Sequence, residues 1–236
     1  MTDSPITVVV EFEVETQTSS RDEWLQAWKG RADDAFEHEP FAPAYEAAVS
    51  VEDESRVLVF ERYENGDAGL QTHMERPAHR ELGELLGARG MIKRRTLANI
   101  ADDVPDYGWW ARPEHASPGY LADCPLIMLC MRFADTAQRE RFIELSAEHA
   151  RYCLTAEPET LMYSGAIARA DLESTSPLAA GDLVFLMVCT DDAAVEKHAT
   201  DPNHLALGEK LNAAGVEIES AVAYQYRTTG LGFLWR

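Results

Sequence analysis

The sequence predicts an α+β fold in which two tandem modules of β-α-β-β-α-β order pack sheet to sheet within one chain. Three observations carry this. A His-x3-Pro-x-His spacing occurs twice, as His73-Met-Glu-Arg-Pro77-Ala-His79 and as His198-Ala-Thr-Asp-Pro202-Asn-His204. Around the two copies residues match at an offset of 125, pairing Phe60 with Phe185, Gly83 with Gly208, Leu86 with Leu211 and Gly90 with Gly215. Upstream the offset is 118, pairing Trp24 with Phe142, Ala32 with Ala150, Glu39-Pro40 with Glu157-Pro158 and Tyr45 with Tyr163. The seven-residue difference falls in the turn-rich stretch Glu173-Ser-Thr-Ser-Pro-Leu-Ala, where a loop takes up length without disturbing packed elements. Thirdly, strand and helix periodicities alternate in the same order in both halves.

Ile6 to Val14 is β-branched and apolar, then alternating, and predicts a central strand. Ser19 and Ser20 offer an N-cap to a helix with Asp22 and Glu23 in its first turn. Trp24, Leu25, Trp28, Ala32, Ala35 and Phe36 recur on one face of that helix, which should stop near Glu39-Pro40. Tyr45 to Val51 and Arg56 to Tyr63 read as a hairpin across the acidic turn Glu52-Asp-Glu-Ser55. Asn65-Gly66-Asp67 starts a short helix and Pro77 starts another, running to Leu86. Met91 to Ile100 closes the module, a split βαβ or ferredoxin-like order. The second half repeats it: strand Leu126 to Phe133, helix Thr136 to Leu154, strands Leu161 to Arg169 and Leu183 to Thr190, helices from Asp191 and Pro202, and strand Val216 to Arg227. The modules are therefore set at 1–100 and 124–236. The segment 101–123 between them holds Tyr107, Trp109, Trp110 and Tyr120, too aromatic for a free linker, and should pack back on a module.

With 46% apolar residues among 236 the chain can fill a sizeable core. Its net charge of −20 excludes nucleic acid and an anionic membrane surface as partners, because both need clustered Lys and Arg. No apolar run reaches membrane length and the start of the chain has no leader pattern, so a cytoplasmic protein is expected. Cys124, Cys130, Cys153 and Cys189 show no Cys-x2-Cys spacing; they read as small core residues of a reduced protein, and no metal site is expected.

The repeated histidines His73, His79, His198 and His204 are candidates for chemistry, since an imidazole can take a phenolic proton near neutral pH. Duplication is equally explained by a helix junction that both modules need. The copies also differ. The first has Glu61, Arg62 and Tyr63 where the second has an apolar run, Leu183 to Cys189, and it has Trp24 and Trp28 where the second has Phe142 and Ser146. Glu61 and Tyr63 share one side of their strand and Arg62 takes the other. Glu61 as a base, with Tyr63 or His73 orienting a phenolic oxygen, is a sensible arrangement, and so is an exposed strand end with a salt bridge. Trp24 and Trp28 could stack on a flat substrate or fill core. Tyr45, matched by Tyr163, could touch substrate or be core. Catalytic candidates are thus His73, Glu61, Tyr63 and His79, and substrate-binding candidates Trp24, Trp28, Tyr45, Arg62, His198 and His204.

The module order, the strand end Glu61-Arg62-Tyr63 and the two histidines around Pro77 resemble antibiotic biosynthesis monooxygenase domains of the dimeric α+β barrel superfamily, well over residues 5–100 and more weakly over 124–228. The resemblance implies ferredoxin-like modules normally paired as a homodimer, here paired within the chain, with a pocket between sheet and helices. It also implies oxygenation of small aromatic or polyketide-derived phenols and quinols by O2 without a cofactor. Relatives that bind or degrade haem make haem the alternative cofactor, although the Asn those enzymes use on the first strand is missing here. A dehydratase-type haem enzyme, a small-molecule binding protein without turnover, and a further homodimer of the tandem chain are the other expectations.

Overall fold

The computed structural model describes residues 4–110, 112, 121–169 and 176–235. Its elements are β1 (Ile6–Val14), α1 (Arg21–His38), β2 (Ala44–Ser50), β3 (Arg56–Tyr63), α2 (Gly66–Glu75), α3 (Pro77–Ala88) and β4 (Ile92–Trp109), then β5 (Ala122–Phe133), α4 (Thr136–Ala156), β6 (Thr160–Ala168), β7 (Leu183–Cys189), α5 (Asp192–Thr200), α6 (Pro202–Ala213) and β8 (Ile218–Thr229). The local signals act as expected. Ser20 caps α1, its hydroxyl taking the Glu23 N–H while the Glu23 carboxylate takes the Ser20 N–H, and Asp135 caps α4. Pro77 and Pro202 open α3 and α6.

Each module forms a four-stranded antiparallel sheet, and the two join edge to edge in the closed order β1-β3-β2-β8-β5-β7-β6-β4. The inner faces share one core, to which Val9, Leu58, Phe60 and Leu97 contribute from the first module and Leu126, Met128, Val184 and Leu186 from the second. Each module's helices cover the outer face of its own sheet. Trp24, Leu25, Trp28 and Ala32 pack on Val57 and Val59, whereas Phe142, Ala150 and Cys153 pack with Phe185 and Met187.

Two corrections follow. First, the strand expected to end at Ile100 runs on to Trp109, so the boundary at 100 falls inside β4 and the expected linker is partly strand. Extension lets β4 reach the second module, pairing Ala101 with Ala168 and Trp109 with Tyr163. It does so through a register shift between Asp103 and Gly108, where Gly108 has φ +92 and an added Cβ would lie 1.8 Å from the Tyr163 carbonyl oxygen. Tyr107 enters the second module's helix-side core. The C-terminal tail makes the reciprocal crossing, Phe233 and Tyr45 exchanging two backbone hydrogen bonds of 2.8 Å. Pro113, Pro118, Tyr120 and the insertion residues Glu173–Thr175 lie outside the described residues.

Second, the offset of 125 does not hold on β7. Phe60 faces the barrel interior and Phe185 the helices, so the two cannot be equivalents. Cross-strand partners give the match, since Tyr45 sits opposite Glu61 and Tyr163 opposite Met187. Glu61 and Tyr63 therefore correspond to Met187 and Cys189. A one-residue slip on a strand exchanges its faces, which is why the sequence alignment misassigned this segment.

Candidate active site

Between the outer face of the first sheet and its helices lies a cavity of about 230 Å³, bordered by Trp24, Trp28, Tyr45, Glu61, His73 and His79 among apolar neighbours such as Val8, Leu70 and Leu86. Helix α1 supplies the tryptophans one turn apart, β3 supplies Glu61, and the α2–α3 junction supplies the histidines. Both tryptophans are about 1% exposed, and Trp28 Nε1 donates to the Tyr45 hydroxyl at 3.0 Å.

A buried polar line ends at this cavity. Glu39, at the C-terminus of α1, accepts from the Arg31 guanidinium and lies 2.8 Å from His73 Nδ1. Arg31 Nη2 is also 2.6 Å from His73 Nδ1. A guanidinium only donates, so Nδ1 cannot both accept from Arg31 and donate to Glu39. Because Arg31 has Glu39, Asp34 and the His73 carbonyl as acceptors, we assign the Nδ1 proton to the Glu39 bond. In the neutral ring Nε2 then carries the lone pair, 4.0 Å from Glu61 Oε2. The Tyr63 hydroxyl donates to that same carboxylate oxygen.

Electrostatics set the resting state of several of these groups. Burial alone would raise the Glu39 carboxyl, but the His73 hydrogen bond and the His73 and Arg31 charges outweigh it and hold the carboxyl below its ordinary value. Burial and the Glu61 charge raise the Tyr63 phenol well above 10, so it stays a donor. Tyr45 is raised by the same two causes. Burial, then the His73 and Arg31 charges, lower His79 to about 4, so it is a neutral imidazole at pH 7. Its Nδ1, like Trp24 Nε1, is buried without a hydrogen-bond partner among the described residues.

The structure thus brings together Trp24, Trp28, Tyr45, Glu61, Tyr63, His73 and His79. It does not bring Arg62 there; by strand alternation Arg62 points to the barrel interior end, where it pairs with Asp103 at 2.8 Å and lies 5.5 Å from the Trp110 ring. His198 and His204 border a separate cavity of about 230 Å³ in the second module, with Tyr107, Ser146, Tyr163 and Phe185. Arg31 and Glu39 were missed by sequence reasoning, although the Glu39/Glu157 match is a signal that could have found the latter. Each cavity, at about 230 Å³, lies just below the range of about 300–1,000 Å³ of pockets that hold drug-sized ligands.

Comparison with known proteins agrees with this architecture. The antibiotic biosynthesis monooxygenase family matches residues 5–84. A candidate monooxygenase from Lactobacillus acidophilus NCFM superposes with a TM-score of 0.72 at 12% identity, covering 99% of each chain. A candidate monooxygenase from Fusobacterium nucleatum gives 0.74 at 13% identity over 97% of this chain and 94% of its own. An anthrone oxidase-like protein gives 0.59 at 13% over 96% and 92%. Such identities speak for the fold, and no curated protein matches the sequence significantly. Among the described residues no helix is long and apolar enough to cross a membrane. Residues 5–84 match the antibiotic biosynthesis monooxygenase family, and the chain folds as two tandem ferredoxin-like modules closed into one α+β barrel.

Proposed function

We propose that the first module oxidises a small phenol or quinol with molecular oxygen, without a cofactor. The observation that carries this reading is the Glu39–His73–Glu61–Tyr63 line ending at an apolar cavity, with Met187 and Cys189 in place of Glu61 and Tyr63 in the other copy. A phenolic O–H in the cavity donates to one acceptor, His73 Nε2, at about 2.6–3.2 Å, beside the Glu61 carboxylate that lies 4.0 Å from that nitrogen. His73 takes the proton, and the resulting imidazolium rests between two carboxylates, Glu39 and Glu61. Tyr63 steadies Glu61 by its hydroxyl. Trp24 N–H and His79 Nδ1 are the unpartnered polar atoms suited to further substrate oxygens.

The electron-rich anion then reduces O2 directly, in a space where Trp24 and Trp28 exclude water. For oxygenation of an activated ring CH2 to a carbonyl, one oxygen atom enters the product and the other leaves as water, all four electrons coming from the substrate. The volume supports a small substrate. A cavity of about 150 Å³ holds benzene, so about 230 Å³ suits one or two fused rings. Tyr45, tied to Trp28 and to the C-terminal tail, walls the cavity.

The test is oxygen uptake with a panel of one- and two-ring phenols and quinols. Glu61→Gln should lower turnover about a hundredfold or more, and Met187→Leu should leave it unchanged. Equal rates in the two variants, or no oxygen uptake by the natural chain with any of the panel, would count against the proposal.

A further inference from the structure

The same buried Glu–His pair exists in both modules, but its surroundings differ in a way the proposed oxygenation does not use. Glu157 corresponds to Glu39 and lies 2.8 Å from His198 Nδ1, as Glu39 does from His73. In the first module the pair is neutralised by the Arg31 guanidinium, which is fully buried. In the second, Arg31 is replaced by His149 and Ala35 by Cys153, one turn apart on α4. Among the described residues no guanidinium pairs with the Glu157 carboxylate, Arg112 donating instead to the Glu157 backbone carbonyl; the carboxylate pairs with His198 and accepts from Thr160 Oγ1 at 3.2 Å, and its second oxygen, Oε1, is buried without a hydrogen bond.

Where the cation is missing, metal-binding side chains converge. His149, Cys153 and His198 are all buried, and their donor atoms lie within 4.8 Å of one another. Cys153 Sγ is 3.3 Å from His149 Nε2 and 3.8 Å from His198 Nδ1, and His204 Nδ1 is 3.3 Å from His149 Nε2. A tetrahedral zinc ion, with Zn–N of about 2.0–2.1 Å and Zn–S of about 2.3 Å, holds neighbouring donors about 3.3–3.6 Å apart. The Cys153–His149 and His149–His204 spacings already match such an ion, while the cluster of His149, Cys153 and His198 spans up to 4.8 Å and closes on binding. Outer groups are also in place. His149 Nδ1 is 2.8 Å from Asn203 Oδ1, which fixes the proton on Nδ1 and leaves Nε2 free to ligate, and Glu157 accepts from His198 Nδ1–H, which leaves His198 Nε2 as its ligating nitrogen.

We propose that the second module binds one zinc ion through His149 Nε2, Cys153 Sγ and a ring nitrogen of His198, with His204 as the fourth ligand on the cavity side. The ion does in this copy what Arg31 does in the other, supplying positive charge to a buried Glu–His pair. Binding displaces the Cys153 thiol proton to solvent and leaves the oxidation states unchanged. A tetrahedral set of one thiolate and neutral imidazoles suits zinc. His204 borders the cavity of about 230 Å³, so the ion stands at the wall of the second pocket and not in the first-module site.

The test uses the full chain without an affinity tag, stripped with chelator and titrated with Zn2+ and Co2+. The expected result is about one Zn2+ per chain retained through gel filtration, and a Co2+ complex with the intense near-ultraviolet band of a cobalt–thiolate bond. Cys153→Ser should lose that band and weaken zinc binding about a hundredfold or more. Because a single substitution in a buried cluster can unfold the chain, the deciding variant is His149→Arg with Cys153→Ala, which rebuilds the first module's arrangement. It should fold, with a melting temperature like that of the metal-free natural chain, and bind no zinc. Zinc stoichiometry far below one in the natural chain, retention of zinc by the double variant, or binding of Cu2+ but not Zn2+ would overturn the assignment.

Discussion

Arg31→Met isolates the charge logic of the first module. The Arg31 and Glu39 side chains are both inaccessible to solvent, and Arg31 also donates to Asp34 at 3.0 Å and the His73 carbonyl at 3.3 Å and lies over the Tyr45 ring, 5.7 Å from its centroid. Methionine keeps much of the stem volume but leaves Glu39 as a buried charge facing His73 at 2.8 Å and the more distant Arg76 at 3.7 Å. Breaking a buried pair in this way costs about 3–5 kcal/mol, most of it the penalty of the stranded carboxylate. Urea unfolding at pH 7 should show that loss, and Arg31→Met with Glu39→Gln should recover about 1–3 kcal/mol of it. The pH dependence gives a second handle. Glu39 is held below its ordinary value in the folded chain, so its contribution is complete above the unfolded carboxyl range and is lost as pH falls through the depressed value. In Arg31→Met that contribution is absent, so the gap between variant and natural chain should hold from pH 7 down to the unfolded carboxyl value, about 4.3, and narrow below it. A loss below about 1 kcal/mol at pH 7, or a gap that does not change with pH, would refute the reasoning and point to packing instead.

Other outcomes follow from the same geometry. His79 is lowered from 6.5 to about 4, so between those values the unfolded chain holds a proton that the folded chain does not; stability should rise with pH across that window, and His79→Asn should flatten the slope in thermal melts from pH 4 to 7. Phe233→Ala should cost about 3–5 kcal/mol in urea unfolding, because Phe233 packs on Phe36 and Tyr45 where the tail crosses to the first module. Gly108→Ala should destabilise by about 2 kcal/mol or more and speed hydrogen exchange at the β4–β6 seam, since its φ is positive and its Cβ would meet the Tyr163 carbonyl.

Element types and order were legible because the signals are local: the apolar run at Ile6–Val14, the Ser20 cap with Glu23, and proline at positions 77 and 202. What stayed hidden depends on distant pairing. The continuation of β4 to Trp109 is visible only once β6 is placed beside it, and the Glu61–Met187 equivalence only once Tyr45 and Tyr163 fix the register. Among site residues, the histidines and Glu61 were found by comparing the two copies. Arg31 was not, because an Arg on a helix ordinarily faces water and nothing local says that this one is buried. His149 and Cys153 carried an unused signal, an i,i+4 spacing of two metal-binding residues on one helix face, which Cys-x2-Cys patterns do not detect. Cys153 is buried, as expected of a small core residue, and it also belongs to a cluster of side chains brought in from α5 and α6.

The central claim is that the first module's cavity draws a proton from a phenol, and an anaerobic difference spectrum tests it directly. A two-ring phenol whose anion absorbs at longer wavelength would be mixed with the natural chain without oxygen, at a pH about two units below the phenol's own pKa. The account predicts a phenolate band at one equivalent, lost in Glu61→Gln and kept in Met187→Leu. A bound phenol that shows only its neutral spectrum, or a phenolate band that persists in Glu61→Gln, would contradict it.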